Sequence, residues 1–290
     1  LRLGIHTSTA GGLERAAQKA AELGANTFQI FSASPRMWRA LPPDPEQVRL
    51  LRTARERFDL NPLAIHVNYL VNLASLDPVI RRKSIAGFRG ELERALAIGA
   101  EYLVLHPGSH RGITVEEGIA AFVEGMAEAA RRLDTRSVTV LLENTAGAGS
   151  HLGSRFAELR AIGDLAAARS GVATGYCLDT CHLLAAGFDL ATADGLRATL
   201  REAEAALGLA NVRVIHANDS KGALASRLDR HANIGEGHIG RAGFHRILTH
   251  PRLRGKPFIL ETPVEEEGDD RRNLDALQRL ARTAPRQVIR

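Results

Sequence analysis

Eight short apolar runs punctuate the chain: Leu3–Ile5, Thr27–Phe31, Leu63–Ile65, Tyr102–Leu105, Val138–Leu142, Tyr176–Leu178, Val212–Ile215 and Phe258–Leu260. Each has three to five residues, too few for a helix, and most are apolar throughout. That is the pattern of a parallel strand buried on both faces. The segments between them carry helical spacing and helix-start signals. Gly12 to Gly24 is Ala-rich and closes on a glycine, as a helix C-terminus should. Asp44-Pro45-Glu46-Gln47 supplies a cap, a first-turn proline and a capping-box residue before Val48–Phe58. Thr114-Val115-Glu116-Glu117 opens another helix, expected to run to about Leu133. Further helices are expected over Val79–Ile98, Phe156–Ala168, Asp194–Leu207, Arg241–Leu248 and Arg271–Ala281.

Strand and helix therefore alternate eight times, at spacings of roughly 25 to 45 residues, which is the arithmetic of an α/β chain folded as a (β/α)8 TIM barrel. A doubly wound open sheet would need a glycine-rich phosphate turn after the first strand. Gly11-Gly12 comes too late after His6 and lacks that spacing. One barrel domain is expected over 1–284, with a loose tail over 285–290.

The polar residues that end these runs change the picture. Seven of the eight stop on a group able to bind a metal: His6, His66, His106, Glu143, Asp179, His216 and Glu261. Only Thr27–Phe31 lacks one. Charged and imidazole groups at the ends of buried strands are costly unless something compensates them, and barrel active sites lie where the C-terminal strand ends converge. Two segments read as loops add donors: His182, three residues beyond Asp179, and the pair Asp229 and His231. Leaving His6 aside, His66, His106, Glu143, Asp179, His182, His216, Asp229, His231 and Glu261 are nine candidate ligands, enough for three ions if one carboxylate bridges. Any one of them alone would read as a rim or turn residue; nine at matching positions point to a metalloenzyme.

Composition narrows the class. At 44% hydrophobic the chain has ample core material. It has no apolar stretch near the roughly 20 residues of a membrane span and no leader pattern, so a cytoplasmic protein with no membrane partner is expected. Cys177 and Cys181 are the only cysteines; their spacing reads as two core thiols near the site, not a disulfide framework. Net charge is +5 and the sequence pI about 9.7. The arginine bias has a bland explanation in genome composition, but the positive sign favours a polyanionic partner such as nucleic acid.

Longer motifs carry a family resemblance. His106-Pro-Gly-Ser-His110, Leu142-Glu-Asn-Thr-Ala-Gly147, Cys177-Leu-Asp-Thr-Cys-His182, His216-Ala-Asn-Asp-Ser-Lys221 and Asp229-Arg-His231 followed by Ile234-Gly-Glu-Gly237 together resemble endonuclease IV, the family-2 apurinic/apyrimidinic (AP) endonucleases. The likeness runs in order from Gly4-Ile5-His6 to Leu260-Glu261-Thr262 and departs at Val67-Asn68 and Pro263-Val264-Glu265. It implies a (β/α)8 barrel holding three Zn2+ ions and acting in base excision repair. Its substrate would be double-stranded DNA with abasic sites or blocked 3′ ends. Cleavage 5′ to the abasic site would leave a 3′-hydroxyl and a 5′-deoxyribose phosphate, with 3′-phosphodiesterase activity alongside. His66, His106 and Glu143 would hold one zinc; Glu143 would bridge to a second with Asp179, His216 and Glu261; His182, Asp229 and His231 would hold the third. Glu143 is thus the catalytic bridge. His6 reads as support for a ligand or a phosphate contact, and Glu236 as a loop-ordering residue and not a general base. Lys221 reads as a phosphate contact.

The resemblance also implies a wedge of Arg36, Tyr69 and Leu70 that fills the gap when the damaged nucleotide leaves the stack, with Trp38 packed beneath its loop. Tyr69 and Leu70 would otherwise read as packing at a helix start. A monomer is expected. Two other readings compete. A metal-dependent sugar isomerase or epimerase shares the barrel and its strand-end ligands. A non-catalytic binder of damaged DNA would use zinc only structurally, in closed four-ligand shells.

Overall fold

The computed structural model describes residues 1–282; the expected tail, 285–290, lies outside them. Eight parallel strands close a barrel: β1 (Arg2–His6), β2 (Thr27–Phe31), β3 (Leu63–His66), β4 (Tyr102–Leu105), β5 (Thr139–Glu143), β6 (Thr174–Asp179), β7 (Val212–His216) and β10 (Pro257–Leu260). Each pairs with the barrel strands before and after it in the chain, β7 with β10 among them, and β1 closes the ring by pairing with both β2 and β10. That closure needs Gly4, where a built Cβ would lie 2.1 Å from the Thr27 carbonyl oxygen. The helices packed outside are α1 (Leu13–Leu23), α2 (Pro45–Phe58), α3 (Pro78–Ile98), α4 (Val115–Ala130), α5 (Phe156–Ser170), α7 (Ala193–Leu207), α8 (Gly240–Thr249) and α9 (Asp269–Arg282). No helix among the described residues is long and apolar enough to cross a membrane.

Strand residues point alternately into the barrel and out towards the helices. The outward side chains join the helices in one large core that includes Phe28, Phe88, Phe122, Phe156, Phe244 and Phe258. Ala64, Val104, Leu141, Cys177, Val214 and Ile259 form a separate, fully buried plug, which fills the barrel interior.

Most helix starts follow the sequence signals. The α4 capping box is complete: Thr114 Oγ1 accepts from the Glu117 N–H at 3.1 Å and Glu117 accepts from the Thr114 N–H at 2.8 Å. At α2, Asp44 caps as expected, accepting from the Glu46 N–H at 3.0 Å. Gln47 does not complete a box there; it accepts from the Leu13 N–H, joining the start of α1 to α2 at 3.1 Å. The helix begun at Thr114 ends at Ala130, short of Leu133, in a turn where Arg132 takes φ 65°.

Several short elements went unforeseen, among them a 3-10 turn at Leu209–Asn211. The segment after Asp179 is a short helix, α6 (Thr180–Ala186), and not a loop. Asp179 caps it by accepting from the His182 N–H at 2.8 Å. A small hairpin, β8 (Asp219–Ser220) with β9 (His231–Ala232), stands between β7 and α8. It fixes one end of the segment carrying Asp229 and His231.

Candidate metal centre

All nine expected ligand side chains meet at the C-terminal end of the barrel. Ligand atoms within each of three groups lie within 4.8 Å of one another: His66 with His106 and Glu143; Glu143 with Asp179, His216 and Glu261; His182 with Asp229 and His231. Glu143 is fully buried at the junction. Its Oε2 lies 3.2 Å from His66 Nε2 and 3.6 Å from His106 Nε2, while its Oε1 lies 3.1 Å from His216 Nδ1 and 3.4 Å from His182 Nδ1. Strand β5 delivers this carboxylate to the barrel axis, and β3, β4 and β7 deliver His66, His106 and His216 around it. Asp229 is the exposed member, on the segment entering β9, 3.2 Å from His182 Nε2.

The electrostatics call for positive charge. Burial works to lower the pKa of His182, but Asp179, Asp229 and Glu143 carry it well above 6.5. His216 is likewise raised well above 6.5, against burial, by the carboxylates of Glu261 and Glu143. Burial opposes ionisation of Glu143, yet His106 and His216 hold it well below the ordinary carboxylate range. The His182 hydrogen bond holds Asp229 at about 2. His106, by contrast, is driven down to about 4 by burial. Buried His106 Nδ1 and His231 Nε2 have no hydrogen-bond partner among the described residues. His231 Nε2, orphaned 3.7 Å from Asp179 and 3.6 Å from Asp229, fits a divalent cation, and the clustered imidazoles and carboxylates are donors of the type zinc accepts. Cys177 and Cys181 come within the same distance limit of neighbouring ligand groups. Burial pushes both thiols up to about 12, so they stand as protonated core groups near the centre.

Sequence reasoning missed the residues behind these ligands. Gln29, interior to the one run without a terminal ligand, is fully buried. Its amide oxygen accepts from His216 Nε2 at 2.9 Å, and its amide nitrogen donates to Glu261 at 2.5 Å and to His6 Nδ1 at 3.0 Å. His6 thus supports Glu261 through Gln29, and itself lies 3.7 Å from that carboxylate. Asn218 donates to Asp179 Oδ2 at 2.6 Å and accepts from the Glu261 N–H at 2.8 Å. Asn144 accepts from the Asp179 N–H at 2.7 Å, and its carbonyl receives His182 Nδ1 at 3.0 Å.

The segment after β9 is ordered chiefly by Asp219. Its carboxylate accepts from the N–H groups of Ser220, Gly235, Gly237, Ile239 and Gly240. A built Cβ on Gly237 would meet the Ser220 carbonyl oxygen at 2.4 Å, so only glycine fits. Glu236 contributes one contact, accepting from Asn233 at 3.2 Å. Lys221 lies 3.5 Å from Glu265 at the surface.

Two clefts, of about 690 and 570 Å3, both include Tyr69, His106, His182 and Asp229 in their walls. Tyr69 is 69% exposed, its ring 5.2 Å edge-on to Phe31 and 6.1 Å from His66. It and Leu70 occupy a turn well before α3, so helix-start packing does not account for them. Arg36 is exposed on the segment after β2. Trp38 packs down onto α3, near Gly87 and under Lys83 Nζ at 5.7 Å.

Residues 17–283 match the family model described as a xylose isomerase-like TIM barrel, the class that this closed barrel and its strand-end donors define. A D-tagatose 3-epimerase-like protein shares the fold at TM-score 0.71 and 19% identity, over 97% of each chain. A relative from Solibacter usitatus (strain Ellin6076), named probable endonuclease 4, is 70% identical over 281 residues, 97% of each chain. The crystal structure of endonuclease IV from Thermus thermophilus matches at TM-score 0.84 and 39% identity, covering 97% of this chain and 98% of that one. The chain belongs to the endonuclease IV family, the family-2 AP endonucleases.

Proposed function

We propose that this DNA-repair AP endonuclease hydrolyses the phosphodiester 5′ to abasic sites in duplex DNA. The products would be a 3′-hydroxyl and a 5′-deoxyribose phosphate, and blocked 3′ ends would be trimmed at the same centre. The observation that carries the reading is the placement of Glu143, one carboxylate whose two oxygens face two different donor groups.

In this reading His66, His106 and Glu143 hold one zinc; Glu143, Asp179, His216 and Glu261 a second; and His182, Asp229 and His231 a third. Zinc bound there would polarise phosphoryl oxygens and make water nucleophilic near neutral pH. The chain's own part is positional. Glu143 fixes the spacing of the two inner groups. Gln29, Asn144 and Asn218 hold the imidazoles and carboxylates in their settings, as partners behind metal ligands do. Asp229, the exposed donor, closes the outer group with His182 and His231; a zinc held there would supply the positive charge that a departing 3′ oxygen needs. Arg36, Tyr69 and Leu70 act as the wedge that holds the damaged nucleotide out of the stack, since a phosphodiester within intact B-DNA does not reach a recessed barrel mouth. No protein nucleophile is required.

We further infer a cytoplasmic monomer whose catalytic barrel spans 1–284. A DNA substrate and two unpaired, buried thiols support an intracellular setting. Incision of a duplex with one abasic analogue, with and without chelator, tests bond, substrate and metal together. Chelator-sensitive cutting 5′ to the analogue, with about three zincs per chain, is expected. Full activity in excess chelator on metal-free protein refutes the reading. So does turnover of ketoses with none on DNA, the epimerase outcome; binding without cutting would mark a damage-recognition protein.

A further inference from the structure

Helix α3 turns a stripe of polar and small residues inward. Ser84, Gly87, Glu91 and Arg94 share one side of the helix and all four are buried. Two separate segments of the barrel mouth rest on them. From the segment after β3, Ser84 Oγ accepts the Asn72 N–H at 2.9 Å, Val71 lies 3.3 Å from a built Gly87 Cβ, and Asn68 Nδ2 donates to Glu91 Oε1 at 3.2 Å. From the segment after β2, Trp38 lies 3.8 Å from the same built Cβ, and the Ser32 hydroxyl donates to Glu91 Oε2 at 2.5 Å. That hydroxyl also accepts from Arg94 Nε at 2.7 Å, and Arg94 pairs with Glu91 at 3.0 Å. The Asn68 amide is used twice, because its Oδ1 accepts the Leu70 N–H at 3.0 Å.

We propose that the buried Glu91–Arg94 pair is a positioning element that locks these two segments in one relative setting, so that Arg36 and the Tyr69–Leu70 turn meet damaged DNA as a unit. This rests on the wedge reading given above. A buried ion pair is costly unless every partner is satisfied, and an apolar stripe would have packed the helix without that cost. Here the two charges serve one segment through Ser32 and the other through Asn68. Charge-assisted hydrogen bonds are short and directional, so the two segments have little freedom to part. A wedge that must hold apart stacked bases gains from that rigidity, since its supporting groups set its precision.

The chain's single tryptophan is Trp38, on the segment after β2, so its emission reports one segment while the other is perturbed. The test uses the full chain with Ser32→Ala, Asn68→Ala and Glu91→Gln. Three quantities are read: zinc content, Trp38 emission without DNA, and kcat and KM on an abasic-analogue duplex either fully stacked or flanked by mismatches. Zinc content is expected to stay at the wild-type level. Asn68→Ala and Glu91→Gln should both shift Trp38 emission. KM should rise about tenfold on stacked duplex and about threefold or less on the mismatched one. Glu91→Gln strands a buried guanidinium; should that variant not fold, the two alanine variants carry the test. Unchanged Trp38 emission in Asn68→Ala overturns the coupling, as does an equal loss on both substrates. Should Tyr69→Ala with Leu70→Ala show no preference between the substrates, the wedge reading falls, and Trp38 emission still decides whether the segments are coupled.

Discussion

Gln29 and His216 meet at 2.9 Å inside the barrel, the amide oxygen accepting from imidazole Nε2. Because the amide nitrogen is committed to Glu261 and His6, the amide has one orientation, and His216 is left to present Nδ1 towards Glu143 and Glu261. A neutral side chain in the middle of an apolar strand thus selects the tautomer of a candidate ligand. Replacing Gln29 with Leu leaves a buried N–H unpaired, at a cost of about 1–3 kcal/mol. Metal retention should fall about 10- to 100-fold. Zinc content measured during chelator challenge checks this; wild-type retention would mean that His216 needs no such partner.

Glu143 has a stronger expected effect. With its two oxygens facing different donor groups, Glu143→Gln and Glu143→Ala should nearly abolish incision while circular dichroism still shows a folded barrel. Loss of a supporting contact alone should be milder. Normal incision by folded Glu143→Ala would remove it from the bridging role.

Protons should compete with metal. His182 and His216 have folded pKa values well above 6.5, so in the metal-free chain their stabilising contribution is full below pH 6.5. It is lost as the pH rises through the raised values. A metal must displace those protons, so uptake at neutral pH releases protons and apparent affinity weakens on acidification. Zinc titration calorimetry in buffers of different ionisation enthalpy measures the release. Uptake with no proton release contradicts this picture.

Hydrolysis leaves a specific chemical signature. A 3′-hydroxyl end and no covalent adduct after borohydride are expected, because no amine nucleophile takes part. Lys221, the one lysine within a motif, faces Glu265 at 3.5 Å. Mass analysis of the cut strand distinguishes a hydroxyl end from the unsaturated aldehyde of β-elimination, and finding the aldehyde would refute the reading.

The Tyr69→Ala, Leu70→Ala double variant should keep zinc and melting temperature. Incision of stacked abasic duplex should drop more than incision of a frayed or single-stranded substrate, where unstacking costs less. A large fall in melting temperature would assign both side chains to packing. The 69% exposure of Tyr69 argues against that outcome.

The barrel and six of the nine converging donors were legible because a charged or imidazole group at the end of a buried strand stands out against its apolar run; His182, Asp229 and His231 were drawn from segments read as loops. Gln29 was not, since a neutral amide inside Thr27–Phe31 breaks no rule that sequence alone can test. Helix α6 was hidden by its seven residues and by Asp179, which serves both as a strand end and as a helix cap. The hairpin of β8 and β9 has strands of two residues, below any readable periodicity. Asp219 lay in a noticed motif, but its partners are backbone N–H groups, which every sequence has and none displays.

The apolar plug beneath the centre gives the barrel a floor as well as walls. Ala64, Val104, Leu141, Cys177, Val214 and Ile259 are all completely buried, so the barrel axis is closed beneath the centre and the mouth is the side open to a reactant. On the proposed mechanism, nicked DNA would retreat along the path by which intact DNA arrived, its extruded sugar returning past Tyr69. Departure would be the arrival run backwards. If Arg36, Tyr69 and Leu70 act as the proposed wedge, the same side chains would meet the cut strand on its way out and keep the fresh nick covered until the helix closes up again.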